Sequence, residues 1–228
     1  MANWLASIRS LEEAQLISPI LPDIVDIKEP NEGALGAVAT EEIVKIVTYL
    51  EGKCPISATI GDQPMTASVI DKAIRRIANT GVDYIKVGLL PSSAMMSVIQ
   101  SLQTIKTYRV IAVLFADKMT YNPQLIPSLK AAGFVGVMVD TAMKTGHTLC
   151  DYWSLSQLEV FIEQTKRYQL LTGLAGALRW QDIAPLQLLA PDYIGFRSAL
   201  CVGQDRQQKI SLSQVKQIQK EVKMRADQ

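Results

Sequence analysis

Cysteine, histidine and net charge are all sparse in this 228-residue chain, which has three cysteines, one histidine, and 23 lysines and arginines against 22 acids, for a net charge of +1. Cys54, Cys150 and Cys201 are odd in number, far apart and without a CxxC pair. That excludes a disulfide framework and a zinc cluster and suits a reducing compartment, so a cytoplasmic location is expected. A near-neutral chain has no global field to gather nucleic acid or an anionic membrane, and any affinity for anions must come from local placement. No segment approaches about 20 uninterrupted apolar residues, so no membrane span is expected. Residues 1–10 (MANWLASIRS) lack a basic flank and a long apolar core, so no cleaved secretion signal is expected either. Nothing resembles a linker, and with 48% hydrophobic and 20% charged residues a single domain spanning 1–228 is the expectation.

Short apolar runs rich in valine and isoleucine alternate with amphipathic stretches. The runs fall at 4–8, 24–27, 56–60, 83–87, 110–115, 135–139, 170–174 and 192–196, eight candidate strands. Stripes at helical spacing follow them: Ile43, Ile46, Val47 and Leu50; Val69, Ala73, Ile74 and Ile77; Leu158, Phe161, Ile162 and Thr165; Leu212, Val215, Ile218 and Val222. Capping boxes at Ser10–Glu13, Ser154–Gln157 and Ser211–Gln214 mark three helix starts. Two prolines in Ile17-Ser-Pro-Ile-Leu-Pro22 shorten the first helix. A loose repeat recurs in which an aspartate opens a strand and a polar residue closes it: Pro22-Asp-Ile-Val-Asp-Ile-Lys28, Val82-Asp-Tyr-Ile-Lys86 and Pro191-Asp-Tyr-Ile-Gly-Phe-Arg197. Alternating β and α units demand a parallel sheet, and eight of them in this length predict an α/β protein, a single-domain (β/α)8 TIM barrel. An open doubly wound sheet is the alternative, but the GxGxxG fingerprint expected after its first strand is missing.

A barrel carries its site at the C-terminal ends of its strands. Asp26 and Lys28 close the second run, on one face because the strand period is two; Asp62 closes the third, Lys86 the fourth, Asp117 the fifth, and Asp140 the sixth with Lys144 four residues on. A charge ending a strand is as often a solvated edge or an ion-pair partner. Lys86 resists that reading, because Tyr84-Ile-Lys-Val-Gly88 encloses it in a strand that should be buried on both faces. A lysine held in a partly desolvated mouth near other ammonium groups has a lowered pKa and can act as a nucleophile, with carboxylates to orient it and move protons. Gly173-Leu-Ala-Gly-Ala-Leu178 and Gly195-Phe-Arg-Ser-Ala199 follow strands seven and eight, where barrels hold phosphate. There Gly176 permits close approach, and Arg197 and Ser198 supply donors, although glycines ending strands are as often only turns. Together with the lysines, these loops point to a phosphorylated carbonyl substrate. His147 reads as a solvated loop residue. Met95, Met96 and Trp180 read as covered core, with a homo-oligomer interface as their other use.

The segments Asp26-Ile-Lys-Glu-Pro-Asn-Glu-Gly-Ala-Leu-Gly36, Ser57-Ala-Thr-Ile-Gly-Asp62, Asp83-Tyr-Ile-Lys-Val-Gly-Leu89, Asp140-Thr-Ala-Met-Lys144 through Gly146 to Asp151, Gly173-Leu-Ala-Gly176 and Gly195-Phe-Arg-Ser-Ala-Leu-Cys201 together resemble the (5-formylfuran-3-yl)methyl phosphate synthase family. These are the 4-HFC-P synthases of methanofuran biosynthesis. The likeness runs in order along essentially the whole chain. Leu114-Phe-Ala-Asp117 and Phe196-Arg197 are similar to the bacterial, methylotroph-type branch. The resemblance implies a lyase that condenses two glyceraldehyde 3-phosphate molecules into a furan phosphate, with loss of phosphate and water. It implies Lys28 as the Schiff-base residue and Lys86 as a proton acceptor, with Asp26, Asp140 and Lys144 completing the site; Asp62, Gly176, Arg197 and Ser198, from their places at the strand ends, are expected toward substrate and phosphate. No cofactor and no metal are implied; the partners are triose phosphates, not nucleic acid or membrane. Ser198 departs from the glycine more usual in bacterial relatives. A Schiff-base aldolase on another sugar phosphate and a non-catalytic barrel that binds a phosphorylated metabolite remain the alternatives.

Overall fold

Runs of valine and isoleucine become strands here because a parallel strand is covered on both faces and needs branched apolar side chains on each. The computed structural model describes residues 2–102, 107–143 and 146–223. Its strands are β1 (Asn3–Ile8), β2 (Ile24–Ile27), β3 (Ile56–Thr59), β4 (Tyr84–Gly88), β5 (Val110–Phe115), β6 (Gly136–Asp140), β7 (Leu171–Leu174) and β8 (Tyr193–Phe196). They pair in parallel in chain order, and Leu5 opposite Gly195 joins β1 to β8, which closes the ring. The fold is the expected (β/α)8 TIM barrel, with every strand bound within one residue of the sequence reading.

The outer layer comprises α1 (Leu11–Ile17), α2 (Thr40–Leu50), α3 (Ala67–Ala78), α4 (Met95–Ser101), α5 (Leu125–Ala132), α6 (Leu149–Tyr152), α7 (Leu155–Arg167), α8 (Trp180–Leu188) and α9 (Leu212–Lys223). After the short α1 comes a 3-10 turn at Ser18–Ile20, where Pro19 ends the α-helical pattern. The stripes Ile43, Ile46 and Leu50, then Leu158, Phe161, Ile162 and Thr165, then Val215, Ile218 and Val222 are buried against the sheet. In α3 the buried line is Ile70, Ala73, Ile74 and Ile77, so Val69 faces solvent instead, and Leu212 is only half-buried. Met96 and Trp180, expected in the core, are exposed at 39% and 42%, and Met95 is half-buried.

Of the capping boxes, Ser154 and Gln157 form the reciprocal pair. Ser10 accepts from Glu13 N, but the Glu13 carboxylate turns away to Arg9 N and Arg197. The Ser211 hydroxyl meets the Ser213 hydroxyl at 2.8 Å.

The aspartates that open strands clamp the base of the barrel. Asp23 accepts from Trp4 N at 2.9 Å, Asp83 from Ile56 N at 2.7 Å, and Asp192 from Thr172 N at 2.7 Å. Each carboxylate satisfies an N–H on the neighbouring strand, a donor that the ladder leaves unmet at its end. The sequence repeat is therefore a strand-joining device.

Inside the ring the filling is uneven. Leu35, from the loop after β2, enters over β3–β5: a Cβ on Gly88 would stand 2.9 Å from Leu35 Cδ1 and 3.2 Å from the Phe115 ring. On the other side Gly173 and Gly195 bring no side chain of their own, and Met138 fills the space beside them with Leu5 and Ala175. The mouth is thus plugged near β4 and β5 and open between β6, β7, β8 and β1.

Candidate active site

Period-two geometry turns Asp26 of β2, Lys28 directly after it, Lys86 of β4 and Asp140 of β6 into the ring, where all four are at least 93% buried. Asp26 is fully buried. Its Oδ1 lies 2.6 Å from Lys86 Nζ and accepts from the Ser57 hydroxyl at 2.7 Å, and its Oδ2 accepts from the Ser7 hydroxyl at 2.9 Å. Lys28 reaches across the mouth, from β2 to the opposite strand β6, where Nζ stands 3.4 Å from Asp140 Oδ2. Asp140 Oδ1 accepts from Thr141 N at 2.7 Å. Two crossed ammonium–carboxylate pairs therefore form the floor of the site.

Burial alone would push the Asp26 carboxyl up, but the Lys86 and Lys28 ammoniums, with hydrogen bonds from Lys86 and Ser57, outweigh it and hold its pKa below the ordinary carboxylate value. Asp26 is thus an anion at neutral pH. For Lys86, burial is the largest influence and lowers its pKa; Asp26 opposes this and the neighbouring Lys28 adds to it, with a net fall below the ordinary lysine value. Lys86 thus gives up its proton more readily than a surface lysine, as a buried base should.

One cavity collects most of the expected residues: Asp26, Lys28, Lys86 and Asp140, with Gly176, Arg197 and Ser198. Gly176 has φ +117°, and a Cβ there would stand 2.9 Å from Thr141 Cγ2, so both conformation and space require glycine. Ala177, the next residue, is also left-handed at φ +50°, an uncommon and strained state for a residue with a Cβ. Ser198 begins a 3-10 turn (Ser198–Leu200) at the cavity wall.

Three of the expected mouth residues are held by contacts within the protein. Arg197 is not a free phosphate donor. Its Nη1 donates to Glu13 Oε2 at 2.6 Å and Ser7 O, its Nη2 to Glu13 Oε1 at 3.0 Å and Gln208 O, and its Nε to Arg206 O, so all five N–H groups are engaged within the protein. Asp62 lies outside the cavity and accepts from Ala34 N at 3.0 Å and Leu35 N at 3.3 Å, which holds the loop that carries Leu35. Asp117 is likewise engaged, with the N–H groups of Ala142 and Met143. Lys144 lies outside the described residues. His147 is exposed, with Nδ1 3.6 Å from Asp151. Among the described residues no group of histidine, cysteine, aspartate and glutamate could hold a metal ion, and no helix is long and apolar enough to cross a membrane.

Arg206, in the segment between β8 and α9, lines the cavity and escaped the sequence reading. Its Nη2 donates to Pro30 O at 2.6 Å and Gly33 O at 2.7 Å, which ties the β2 loop to the β8 side of the mouth. The signal that could have found it is position alone, since an arginine following the last strand of a barrel stands beside the phosphate-binding loops.

The 4-HFC-P synthase family model matches residues 4–219. A Methylorubrum extorquens protein provisionally named (5-formylfuran-3-yl)methyl phosphate synthase is 39% identical over 215 residues, covering 93% of this chain and 88% of that protein. The Methanobrevibacter smithii (5-formylfuran-3-yl)methyl phosphate synthase is 37% identical over 196 residues, covering 81% and 83%. Among solved structures, a 3-hexulose-6-phosphate synthase superposes with TM-score 0.66 at 14% identity over 96% of this chain and 99% of that one, a likeness of fold. With a barrel of this design, two buried lysine–aspartate pairs in its mouth and relatives of this identity along nearly its whole length, the chain belongs to the 4-HFC-P synthase family.

Proposed function

We propose that the protein is a lyase of methanofuran biosynthesis, working in the cytoplasm. It joins two glyceraldehyde 3-phosphate molecules into 4-(hydroxymethyl)-2-furancarboxaldehyde phosphate through a Schiff base on Lys28. The observation that carries this reading is the pair of buried lysines, each facing its own carboxylate in one cavity. The atoms balance: two C3H7O6P lose one H3PO4 and two H2O to give C6H7O6P. No hydride or electron is left over.

Asp140, 3.4 Å from Lys28 Nζ, takes the proton that the amine sheds before it attacks. One triose phosphate, as its ketone isomer, forms an iminium on Lys28 and releases a water that is returned when the adduct is hydrolysed. The iminium acidifies the adjacent C–H, and Lys86 removes that proton. The resulting enamine adds through carbon to the aldehyde of the second triose. Elimination of phosphate, ring closure and dehydration follow, with Asp26, Asp140 and Lys144 carrying protons. The backbone around Gly176 and Ser198 holds the retained phosphate. Incubation with glyceraldehyde 3-phosphate alone should yield furan absorbance and one inorganic phosphate per furan. An aldol product without phosphate release would identify instead an aldolase on sugar phosphates, and binding without turnover a non-catalytic barrel.

The low pKa of Lys86 sets an expectation for pH. A base must be deprotonated to act, so kcat/KM rises with pH and levels off above the Lys86 ionisation, below the value of about 10.4 for a free lysine. Lys86→Arg should remove this limb and lower kcat about 10²–10⁴-fold, as loss of a general base does. A limb unchanged in that variant would assign it to another group.

A further inference from the structure

The cavity that holds the lysines continues outward. Ala177, Ser198 and Arg206 line both it and a second depression, whose far wall is formed by Gly146 and Arg179. The inner lobe has about 30 Å³ of free volume, space for one or two waters, and the outer lobe about 330 Å³. A reaction between two phosphorylated trioses brings two dianions together, and each needs its own cations.

In the inner lobe every cation but the shared Arg206 faces its own acid. Lys28 faces Asp140, Lys86 faces Asp26, and Arg197 faces Glu13. The outer lobe differs. Arg206 uses Nη2 on the carbonyls of Pro30 and Gly33, and Arg179 uses Nη2 on Gly146 O at 3.0 Å. Neither guanidinium has a carboxylate within ion-pairing distance among the described residues, and their remaining side-chain N–H groups make no hydrogen bond to another described residue. The acid on this wall, Asp205, already accepts from Gln207 N and Gln208 Nε2. Two forks, each fixed by its backbone contacts with other donors left over, make a pre-set receptor for a phosphate dianion.

We propose that the outer lobe is a second phosphate subsite, in which Arg179 and Arg206 hold the phosphate of one triose while the Gly176–Ser198 loops hold that of the other. This rests on the two-triose reaction proposed above. The two lobes adjoin through Ala177 and Ser198, so a substrate anchored in the outer lobe extends its three-carbon end toward Lys28.

Arg179 is exposed, and among the described residues its side chain hydrogen-bonds only to Gly146 O, so Arg179→Ala leaves the barrel intact. Calorimetric titration with inorganic phosphate should count two phosphates per wild-type chain and one per Arg179→Ala chain. The variant's KM for glyceraldehyde 3-phosphate should rise roughly ten- to hundredfold, the effect of losing a charge-assisted contact. Its yield of borohydride-trapped adduct with saturating dihydroxyacetone phosphate should be unchanged, and Arg179→Lys should recover part of the KM. One phosphate per wild-type chain, or an unaltered stoichiometry and KM in Arg179→Ala, would overturn the subsite. Two phosphates per chain without any furan product would leave the subsite standing and overturn the reaction.

Discussion

Lys28→Arg abolishes furan formation and leaves no borohydride-trapped adduct, with a fall in kcat/KM on the order of 10⁴-fold or more, as for loss of a covalent nucleophile. The substitution separates charge from chemistry. A guanidinium still presents a cation to Asp140, which stands 3.4 Å from Nζ in the native chain, so the crossed pairing of the mouth persists. It stays protonated at any working pH and has no amine to form an imine. The melting temperature should therefore change little while the reaction stops. Peptide mass analysis of the trapped wild-type protein should find the label on Lys28, and a label on Lys86 would reverse the two assigned roles.

Glu13→Ala should cost about 3–5 kcal/mol of folding free energy, because it strands a buried guanidinium. Glu13 and Arg197 are exposed by only 5% and 7%, and they meet through two parallel N–H···O bonds. For a chain of this size the loss corresponds to a fall in melting temperature of about 10 °C. KM for glyceraldehyde 3-phosphate should stay within about threefold, since in the native chain every Arg197 donor is engaged within the protein and no phosphate contact is there to lose. Removing both partners, with Arg197→Met added, should restore part of the stability. Thermal denaturation alongside steady-state kinetics checks both halves. A tenfold rise in KM with unchanged stability would return Arg197 to the phosphate site.

The barrel could be read from the sequence because its rules are local. Valine and isoleucine runs of fixed length, stripes at helical spacing and a charge at each strand end recur unit by unit, and Lys86 stood out because its flanking residues, Ile85 and Val87, are apolar. What escaped is non-local. Glu13 has the spacing of a capping-box residue, yet its carboxylate goes to Arg197, 184 residues away, a partner that no window of sequence contains. Asp62 has the look of a mouth residue, but the loop returning over β3 brings Ala34 N and Leu35 N to it first. Arg206 lies in a segment without periodicity, and only the closed ring places it opposite Pro30 and Gly33. Val69 and Ile70 differ by one step of a helix, about 100°, enough to exchange the buried residue for the exposed one.

Closure of the ring by β1 and β8 also orders events during synthesis. Asp26, Lys28, Lys86 and Asp140 have all emerged by the time β6 is made, but Glu13 must wait for Arg197, roughly 10–40 s at ordinary elongation rates. Until then β1 and the latest strand to emerge each present an unpaired edge, and the loop after β2 lacks its tie to Arg206. A chain released before Arg197 would carry Asp26, Lys28, Lys86 and Asp140 on an open sheet, where Lys28 and Asp140 lie four strands apart and cannot pair, with the apolar faces that a chaperone or protease recognises. The stretch from Arg197 to Arg206 thus does two things at once: it locks the closed ring through Glu13 and the β2 loop, and it brings Ser198 and Arg206 to the mouth.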